Sequence, residues 1–170
     1  MSPSAIETLA DRLDVIDVCT RLHWCVDHRD WDGLDDLLDE QVSFPTPVEL
    51  ARPDFDPVDY YRGRSEIKAA YPGLLAGLIT QHVITGHQVE LEGDHAVCHA
   101  HAINVHVAEA DPKHVMVHGN EYRFELNRKA SGWRIHARQT RIRWRFGDEK
   151  HYDVDRRMQT WAAVVPATQS

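Results

Sequence analysis

An aspartate and a histidine, far apart along this sequence, together offer the chemistry of a general base. Asp27 stands on an otherwise apolar helical stripe, and His82 opens the strand-like run ITQHVITGHQVEL at residues 79–91. Burying an unpaired carboxylate is costly, so Asp27 needs a partner. A carboxylate beside an imidazole fixes its tautomer and stabilises the imidazolium formed on proton capture. We therefore predict that Asp27 and His82 meet. There are two alternatives. The helix frays near residue 26 and leaves Asp27 in solvent, or His82 is a surface residue at the end of the strand.

A metal site is the competing interpretation of the histidines. The chain has 12 of them, and His99 and His101, like His114 and His118, would share a strand face. However, the sequence has no HExxH motif, no close carboxylate triad and no Cys/His ligand spacing. Phosphate-binding glycine loops and GxSxG elbows are also absent. We predict neither a metal nor another cofactor.

The element that carries Asp27 is predicted to be an amphipathic helix over residues 4 to about 30. The sequence SAIE fits a capping box, with Glu7 three residues after Ser4. Steps of four and three residues define one face of this helix. The predicted stripe consists of Leu9, Leu13, Ile16, Thr20, His23 and Asp27. A second, short helix is predicted in WDGLDDLLDE.

Between this helical region and the run that contains His82, the sequence predicts a strand, a long loop and a helix. The segment QVSFPTP reads as a short strand stopped by prolines. The proline-rich residues 47–63 are expected to form a lid whose Phe55, Tyr60 and Tyr61 can pack on an apolar ligand; the alternative is a disordered surface loop. A third helix is predicted from Ser65 to about Leu78, with Pro72 inside it.

From residue 79 the hydrophobic period changes to two, which is typical of strands with one buried face. Turn residues at 92–94, the loop AEADPK and the turn KASG separate four alternating runs that end in WRIHARQTRIRWRF. Helices followed by antiparallel strands indicate the α+β class, with the helices on one face of a curved sheet that encloses a pocket. We predict one domain over residues 1–170, with a core at about 5–147 and a tail at 148–170.

Composition narrows the possible partners. The chain carries 27 acidic and 19 basic residues, a net charge of −8, which argues against nucleic acid or an anionic membrane as the main partner. The three scattered cysteines suggest reduced thiols, and the N-terminal segment lacks the pattern of a signal peptide. We expect a cytoplasmic protein whose partner is a small-molecule substrate.

Several segments, in their order and spacing, resemble the SnoaL-like group of the NTF2-like, cystatin-like cone superfamily. They are CTRLHWCVDHRDWDGLDDLL, VSF, YRGRSEIKAAY, TQHVITGHQVELEGDHAVCHA and the ending GNEYRFELNR…SGWRIHARQTRIRW, within residues 5 to 147. The resemblance implies an N-terminal helical layer on a strongly curved, mostly antiparallel sheet. It is nearest to lyases of the scytalone dehydratase, bile-acid dehydratase and dehydrochlorinase type, although this fold hosts many chemistries.

The resemblance also implies roles for particular residues. Asp27 and His82 match the catalytic pair of those lyases, with His82 as the base and His87 peripheral. Arg138 or Arg141 would match a last-strand arginine that stabilises negative charge. A tyrosine found in several members is replaced here by Leu22, which argues against tyrosine-assisted dehydration. The remaining candidates for substrate contact are His23, Trp24, Phe44, Phe55, Tyr61, Asn104, His106, Tyr122 and Trp144.

The function expected from these residues is that of a small cofactor-independent lyase or isomerase acting on a largely apolar or polycyclic metabolite. The alternatives are a non-catalytic binding or accessory subunit, and a polyketide cyclase or epoxide-opening enzyme. We also predict a homodimer or homotrimer packed sheet to sheet, because one strand face combines apolar residues with the two histidines of HAH. That face consists of Val97, His99, His101, Ile103 and Val105.

Overall fold

The computed structural model of the protein describes residues 4–45, 48–49 and 59–148, and gives only the backbone of residues 45, 48–49 and 59–61. Within these ranges the chain forms two α-helices, one 3₁₀ turn and a seven-stranded sheet. In chain order the elements are α1 (Ala5–His28), the 3₁₀ turn (Gly33–Asp36), β1 (Leu38–Pro45), β2 (Val48–Glu49), β3 (Asp59–Arg62), α2 (Arg64–Leu74), β4 (Leu78–Glu92), β5 (His95–Ala108), β6 (Val115–Lys129) and β7 (Gly132–Gly147). The helix predicted in the tail and most of the predicted lid, including Phe55, lie outside the described residues.

Helix α1 begins as predicted, but its buried face differs from the predicted stripe. Ser4 is the N-cap, and Ser4 and Glu7 form the reciprocal hydrogen bonds of a capping box. Leu9 and Leu13, however, are exposed, and burial starts at Val15. Two overlapping sets of residues satisfy the helical period, and the one facing the sheet is Val15, Val18, Cys19, Leu22, His23, Cys25 and Val26. The predicted and observed faces share only His23 among buried residues.

The two shorter helices also differ from the prediction. The segment predicted as a second helix contains only the 3₁₀ turn, after which β1 begins at Leu38; Leu34 and Leu37 are buried. Helix α2 ends at Leu74, four residues earlier than predicted. Pro72 lies in its last turn, and Gly77 has a φ of 71°, which turns the chain into β4.

The long strands follow the predicted order and turns. The sheet runs β3-β1-β7-β6-β5-β4, with β2 also paired to β7. The pairs β4/β5, β5/β6 and β6/β7 are antiparallel, whereas β1 and β2 lie parallel to β7. The predicted α+β fold is therefore confirmed, with helices on one face of a curled, mostly antiparallel sheet. No helix in the described ranges has both the length and the apolarity to cross a bilayer.

The sheet has two chemically different faces. We call the face that α1 covers the inner face; it carries the buried core, including Cys98, Phe124 and Leu126. The opposite, outer face carries the partly exposed residues of the same strands. Residues aligned across β4, β5, β6 and β7 form rows, and the row His82, Asn104, His118 and Arg145 lies on the inner face. These rows determine which polar side chains can reach Asp27.

One end of the outer face is apolar. Exposed hydrophobic side chains occur there on β4, β5 and β7, and Phe146 is 76% exposed. We call these residues, together with the partly exposed Val105 and Val117 between them, the outer apolar patch: Ile79, Val83, Ile103, Val105, Val117, Trp144 and Phe146. Of the face predicted to form an interface, only Ile103 and Val105 belong to it. His99 and His101 instead align with Arg123 and Glu121, at the polar end.

We expect two or more copies of the chain to bury this patch, since contiguous exposed apolar surface marks an interaction site. The wild-type protein should scatter light as a dimer or trimer at micromolar concentration. Ile103→Asp places a charge in the patch and should shift the protein to monomer. His99→Asp, on the polar end of the same strand, should leave assembly unchanged. A monomeric wild-type protein would contradict the prediction.

Candidate functional site

Asp27 reaches the sheet because of how α1 ends. The helix terminates at Arg29, whose φ of 59° is left-handed and whose N–H bonds the carbonyl of Val26. This cap stops the helix directly beside the start of β4. Asp27, in the last turn, therefore faces two inward-pointing residues of β4, Thr80 and His82.

The structure brings Asp27 and His82 into direct contact. Asp27 Oδ1 lies 2.6 Å from His82 Nδ1, and Asp27 Oδ2 accepts the backbone N–H of His82 at 2.8 Å. The Thr80 hydroxyl donates to Oδ1 at 2.9 Å. The side chains of His82 and Asp27 are 9% and 14% exposed. Asp27 is thus held by three hydrogen bonds from a single strand, and the alternative of a frayed helix with Asp27 in solvent is excluded.

These contacts determine the ionisation of the carboxylate. Burial raises the pKa of Asp27, but the hydrogen bond from the His82 ring, the charge of that ring and the bonds from the His82 N–H and Thr80 lower it by more, so the pKa of Asp27 is below its usual value. An ionised carboxylate only accepts hydrogen bonds, so the proton between the two groups belongs to His82 Nδ1. The other ring nitrogen of neutral His82, Nε2, is then left as a base.

Behind the carboxylate stands a residue that the sequence analysis missed. The guanidinium of Arg29 donates to Thr80 Oγ1 at 3.0 Å and to the carbonyls of Val26 and Leu78. Thr80 Oγ1 therefore accepts from Arg29 while it donates to Asp27. Arg29 joins the end of α1 to the start of β4 and fixes the direction of the Thr80 hydroxyl. The alternation of β4 would have placed Thr80 beside His82, but no sequence signal marks Arg29.

The ring of His82 lies close to other imidazoles on the inner side of the sheet. The centroids of His23 and His106 lie 5.2 and 5.8 Å from that of His82, and His118 lies 5.3 Å from His106. Among the described residues, no group of three or more His, Cys, Asp or Glu side chains is placed to hold a metal ion. His87 lies at the bulge in β4, half-buried, and burial lowers its pKa.

A second polar group lies further along the same face. Tyr122 is buried, and its hydroxyl accepts hydrogen bonds from the carboxamides of Asn104 at 2.6 Å and Asn120 at 3.3 Å. The ring of Tyr122 lies 4.8 Å from that of His23. Because Asn104 is directly opposite His82 on β5, this group adjoins the Asp27–His82 pair.

Only one of the two candidate arginines lies on the inner face. Arg138 aligns with Phe124, and its guanidinium lies 4.1 Å from the Phe44 ring centre and 5.6 Å from that of Tyr122. Arg138 has no ion pair with another described residue, and its charge lowers the pKa of buried His23. Arg141 instead lies on the outer face, more than half exposed, opposite Glu121. The structure therefore contradicts a pocket position for Arg141.

Two other candidates for substrate contact are also misplaced. Trp144 lies on the outer face, where a Cβ at Gly119 would overlap its indole. A bulge in β7 opposite Glu125/Leu126 shifts the alternation, which is why Arg141 points outward. A second bulge, opposite Gly119/Asn120, shifts it back, so Trp144 points outward, where uninterrupted alternation from Trp133 would also place it. Trp24 is 64% exposed on α1 and stacks on His28, because it follows His23 and so points away from the buried helical face.

The remaining predicted contacts do lie together. His23, Asn104, His106 and Tyr122 are all buried on the inner face, and Phe44 closes the group beneath Arg138. The backbone of Tyr61 aligns with Phe44, whereas its side chain lies outside the described residues, as does Phe55. Whether these residues bind a substrate stays a prediction.

The buried histidines predict acid sensitivity. Burial, followed by the charges of Arg145 and His82, lowers the pKa of His118 from 6.5 to about 4. The unfolded chain then binds a proton in this window that the folded chain does not, so stability falls as the pH drops below about 6.5 and levels off near the folded pKa. Between about pH 7 and pH 5, protonation of His118 in the unfolded chain should lower the free energy of unfolding by about 2 kcal/mol.

Urea titrations at the two pH values measure this effect. His118→Gln should flatten the pH dependence, whereas His99→Gln, an exposed outer-face change, should leave it unaltered. An equally steep dependence in His118→Gln would show that other groups govern acid unfolding.

Comparisons with known proteins identify the family to which the chain belongs. The model of the SnoaL-like domain matches residues 7–139, so the chain belongs to the SnoaL-like family. A search among curated protein sequences finds no match.

Solved structures with the same fold are numerous. A protein of Novosphingobium aromaticivorans provisionally named a scytalone dehydratase superposes with a TM-score of 0.71 at 13% identity, covering 85% of this chain and 92% of the other. A type 2 hexachlorocyclohexane dehydrochlorinase, LinA, gives 0.70 at 15% identity, covering 85% and 93%. An NTF2-like protein with a cystatin-like fold, also from N. aromaticivorans, gives 0.63 at 19%, covering 88% and 91%. These likenesses establish the NTF2-like fold.

Proposed function

We propose that the protein is a cofactor-independent lyase or isomerase of the dehydratase type, in which Asp27 and His82 act as a general-base pair. The observation that carries this proposal is the 2.6 Å contact between Asp27 Oδ1 and His82 Nδ1. In a neutral ring, this contact assigns the proton to Nδ1 and makes Nε2 the basic nitrogen. Structural neighbours named for dehydratase and dehydrochlorinase activities support the same class.

In the proposed elimination, His82 Nε2 removes a proton from a carbon next to the one that bears the leaving group. The electrons of that C–H bond form a carbon–carbon double bond as the leaving group departs with its bonding pair. For a hydroxyl, the imidazolium returns the captured proton to the departing oxygen, which gives water and restores neutral His82. In an isomerisation the same proton returns to a different carbon.

The surroundings of the pair suit this chemistry. Asp27 stabilises the imidazolium and prevents the ring from adopting the other tautomer. Arg138, the inner-face arginine without an acidic partner among the described residues, would stabilise negative charge that develops on a carbonyl oxygen of the substrate. The inner faces of β4 to β7 carry no second carboxylate, which disfavours the water-activating pair expected of an epoxide-opening enzyme.

An assay in heavy water tests the proposal before the natural substrate is known. A library of β-hydroxy ketones and enolisable cyclic ketones would be incubated with the protein in D₂O and followed by mass spectrometry. We expect at least one compound to lose water or to gain deuterium in the presence of the wild-type protein but not of His82→Gln. The same products with both proteins would contradict a role for His82, and binding without any turnover would favour the non-catalytic alternative.

A further inference from the structure

The wall beside the Asp27–His82 pair contains buried hydrogen-bond acceptors that no described residue satisfies. His23 Nε2, Asn104 Oδ1 and Asn120 Oδ1 have no hydrogen-bond partner among the described residues. Their side chains belong to residues that are 2%, 5% and 5% exposed. Native proteins leave few buried polar atoms unpaired, so three acceptors in one group require an explanation.

The tautomer of His23 follows from its hydrogen bond. His23 Nδ1 lies 3.1 Å from the carbonyl oxygen of Cys19, which can only accept, so Nδ1 carries the proton. Burial, followed by the charges of His82 and Arg138, lowers the pKa of His23 well below 6.5 and keeps the ring neutral. Nε2 therefore presents a lone pair, and His23 cannot serve as a proton donor to a ligand at neutral pH.

The two asparagines leave a carboxamide oxygen without a donor because both share one hydroxyl group. Both carboxamides bond the Tyr122 hydroxyl, at 2.6 Å from Asn104 and 3.3 Å from Asn120. A hydroxyl has only one proton, so it can satisfy at most one carboxamide oxygen, whichever way the amides are turned. At least one of the two carboxamide oxygens therefore remains available as an acceptor beside His23.

We propose that His23 Nε2, together with the carboxamides of Asn104 and Asn120, forms a subsite that accepts hydrogen bonds from hydroxyl groups of the ligand. The rings of Tyr122 and Phe124 lie 4.8 and 6.0 Å from that of His23, so the subsite favours a hydroxyl on an aromatic or fused ring over one on a flexible polar chain. Together with the proposed function, on which it rests for the location of the substrate, this identifies the substrate as a hydroxylated cyclic compound. A hydrocarbon or fully halogenated ring would leave the buried acceptors unpaired.

Phenol and anisole are matched probes for the subsite, because they share a ring and differ in the O–H donor. We expect the wild-type protein to bind phenol about three- to tenfold more tightly than anisole, the difference made by one hydrogen bond. With ¹⁵N-labelled histidine, the Nε2 resonance of His23 should move on addition of phenol and stay in place with anisole. Equal affinities, no detectable phenol binding, or an unmoved His23 resonance would each overturn the proposal.

Variants extend the test with a control on the same helix. His23→Phe should remove the preference for phenol, and His23→Gln, which retains an accepting oxygen, should restore part of it. His28 makes the same type of bond, from Nδ1 to the carbonyl of Trp24 at 2.9 Å, but is exposed, so His28→Phe should not alter the preference. Should His23→Phe fail to fold, the ¹⁵N titration of the wild-type protein still decides.

Binding is measured without turnover, so the two proposals can fail separately. A preference for phenol in a protein with no lyase or isomerase activity would retain the subsite and reject the proposed function. If the wild-type protein instead shows no preference for phenol, and its turnover is lost in His82→Gln, the proposed function would be retained and the subsite rejected.

Discussion

His82→Gln is expected to lower kcat/KM by at least about a hundredfold on any compound that the protein converts, because it removes the base that Asp27 holds. Asp27→Asn should cause a loss on the order of a hundredfold or more. The amide keeps an oxygen for the backbone N–H of His82, but it neither stabilises the imidazolium nor enforces the Nδ1–H tautomer.

The double variant distinguishes a working pair from two independent contributions. Since Asp27 acts through His82, the double variant Asp27→Asn/His82→Gln should have a kcat/KM only slightly below that of His82→Gln alone. His99→Gln, an exposed histidine on the outer face, serves as the control and should retain activity. Full activity in His82→Gln, or single losses that multiply in the double variant, would contradict the pair.

The long strands were predictable because their signals are local. Alternation in β5 and β6 and the turns between β4 and β5 and between β6 and β7 depend on neighbouring residues, and the structure reproduces them. The Asp27–His82 contact was predictable for another reason. His23, one turn before Asp27, is buried in the helix, so a carboxylate at Asp27 also faces the sheet and demands a partner, and His82 lies near the start of the strand beside it.

The failures have non-local causes. Strict alternation from Trp133 and Ile135 would put residue 141 inside, whereas the bulge at His136 places Arg138 inside instead. The bulge at Arg143 reverses this shift, so Trp144 points outward, as it would in a strand without either bulge. Bulges depend on how two strands pair, so the sequence of β7 alone could not choose between Arg138 and Arg141.

The buried face of α1 shows a similar ambiguity. Both the stripe from Leu9 and the stripe from Val15 fit the helical period, and only docking on the sheet selects the second. His23 belongs to both, so its burial was predictable although the rest of the face was not. The positioning residue Arg29 was not predictable at all, because its role depends on a left-handed helix cap.

Arg29→Met is expected to reduce the free energy of unfolding by about 1.5 to 3 kcal/mol, the range for hydrogen bonds made by a charged group. The change removes the bonds to Val26 O, Leu78 O and Thr80 Oγ1, and leaves the two carbonyls without their guanidinium donor. Urea titration measures the loss. Arg21→Met is the matched control, since Arg21 is about half exposed on the same helix and, within the described part of the chain, pairs with Asp17 in an i,i+4 contact at 3.6 Å. It should cost about 0.5 kcal/mol or less.

A third variant separates the guanidinium from the backbone. Arg29→Gly loses the same hydrogen bonds but relieves a left-handed conformation that costs a non-glycine residue about 1 kcal/mol, so it should be less destabilising than Arg29→Met. If Arg29 positions the pair through Thr80, both Arg29 variants and Thr80→Val should lower kcat more than they alter KM. Thr80→Val should do so with a smaller loss of stability, because it leaves the carbonyl bonds of Arg29 intact. Equal unfolding free energies for Arg29→Met and Arg21→Met would contradict the prediction that the Arg29 hydrogen bonds stabilise the contact between α1 and β4.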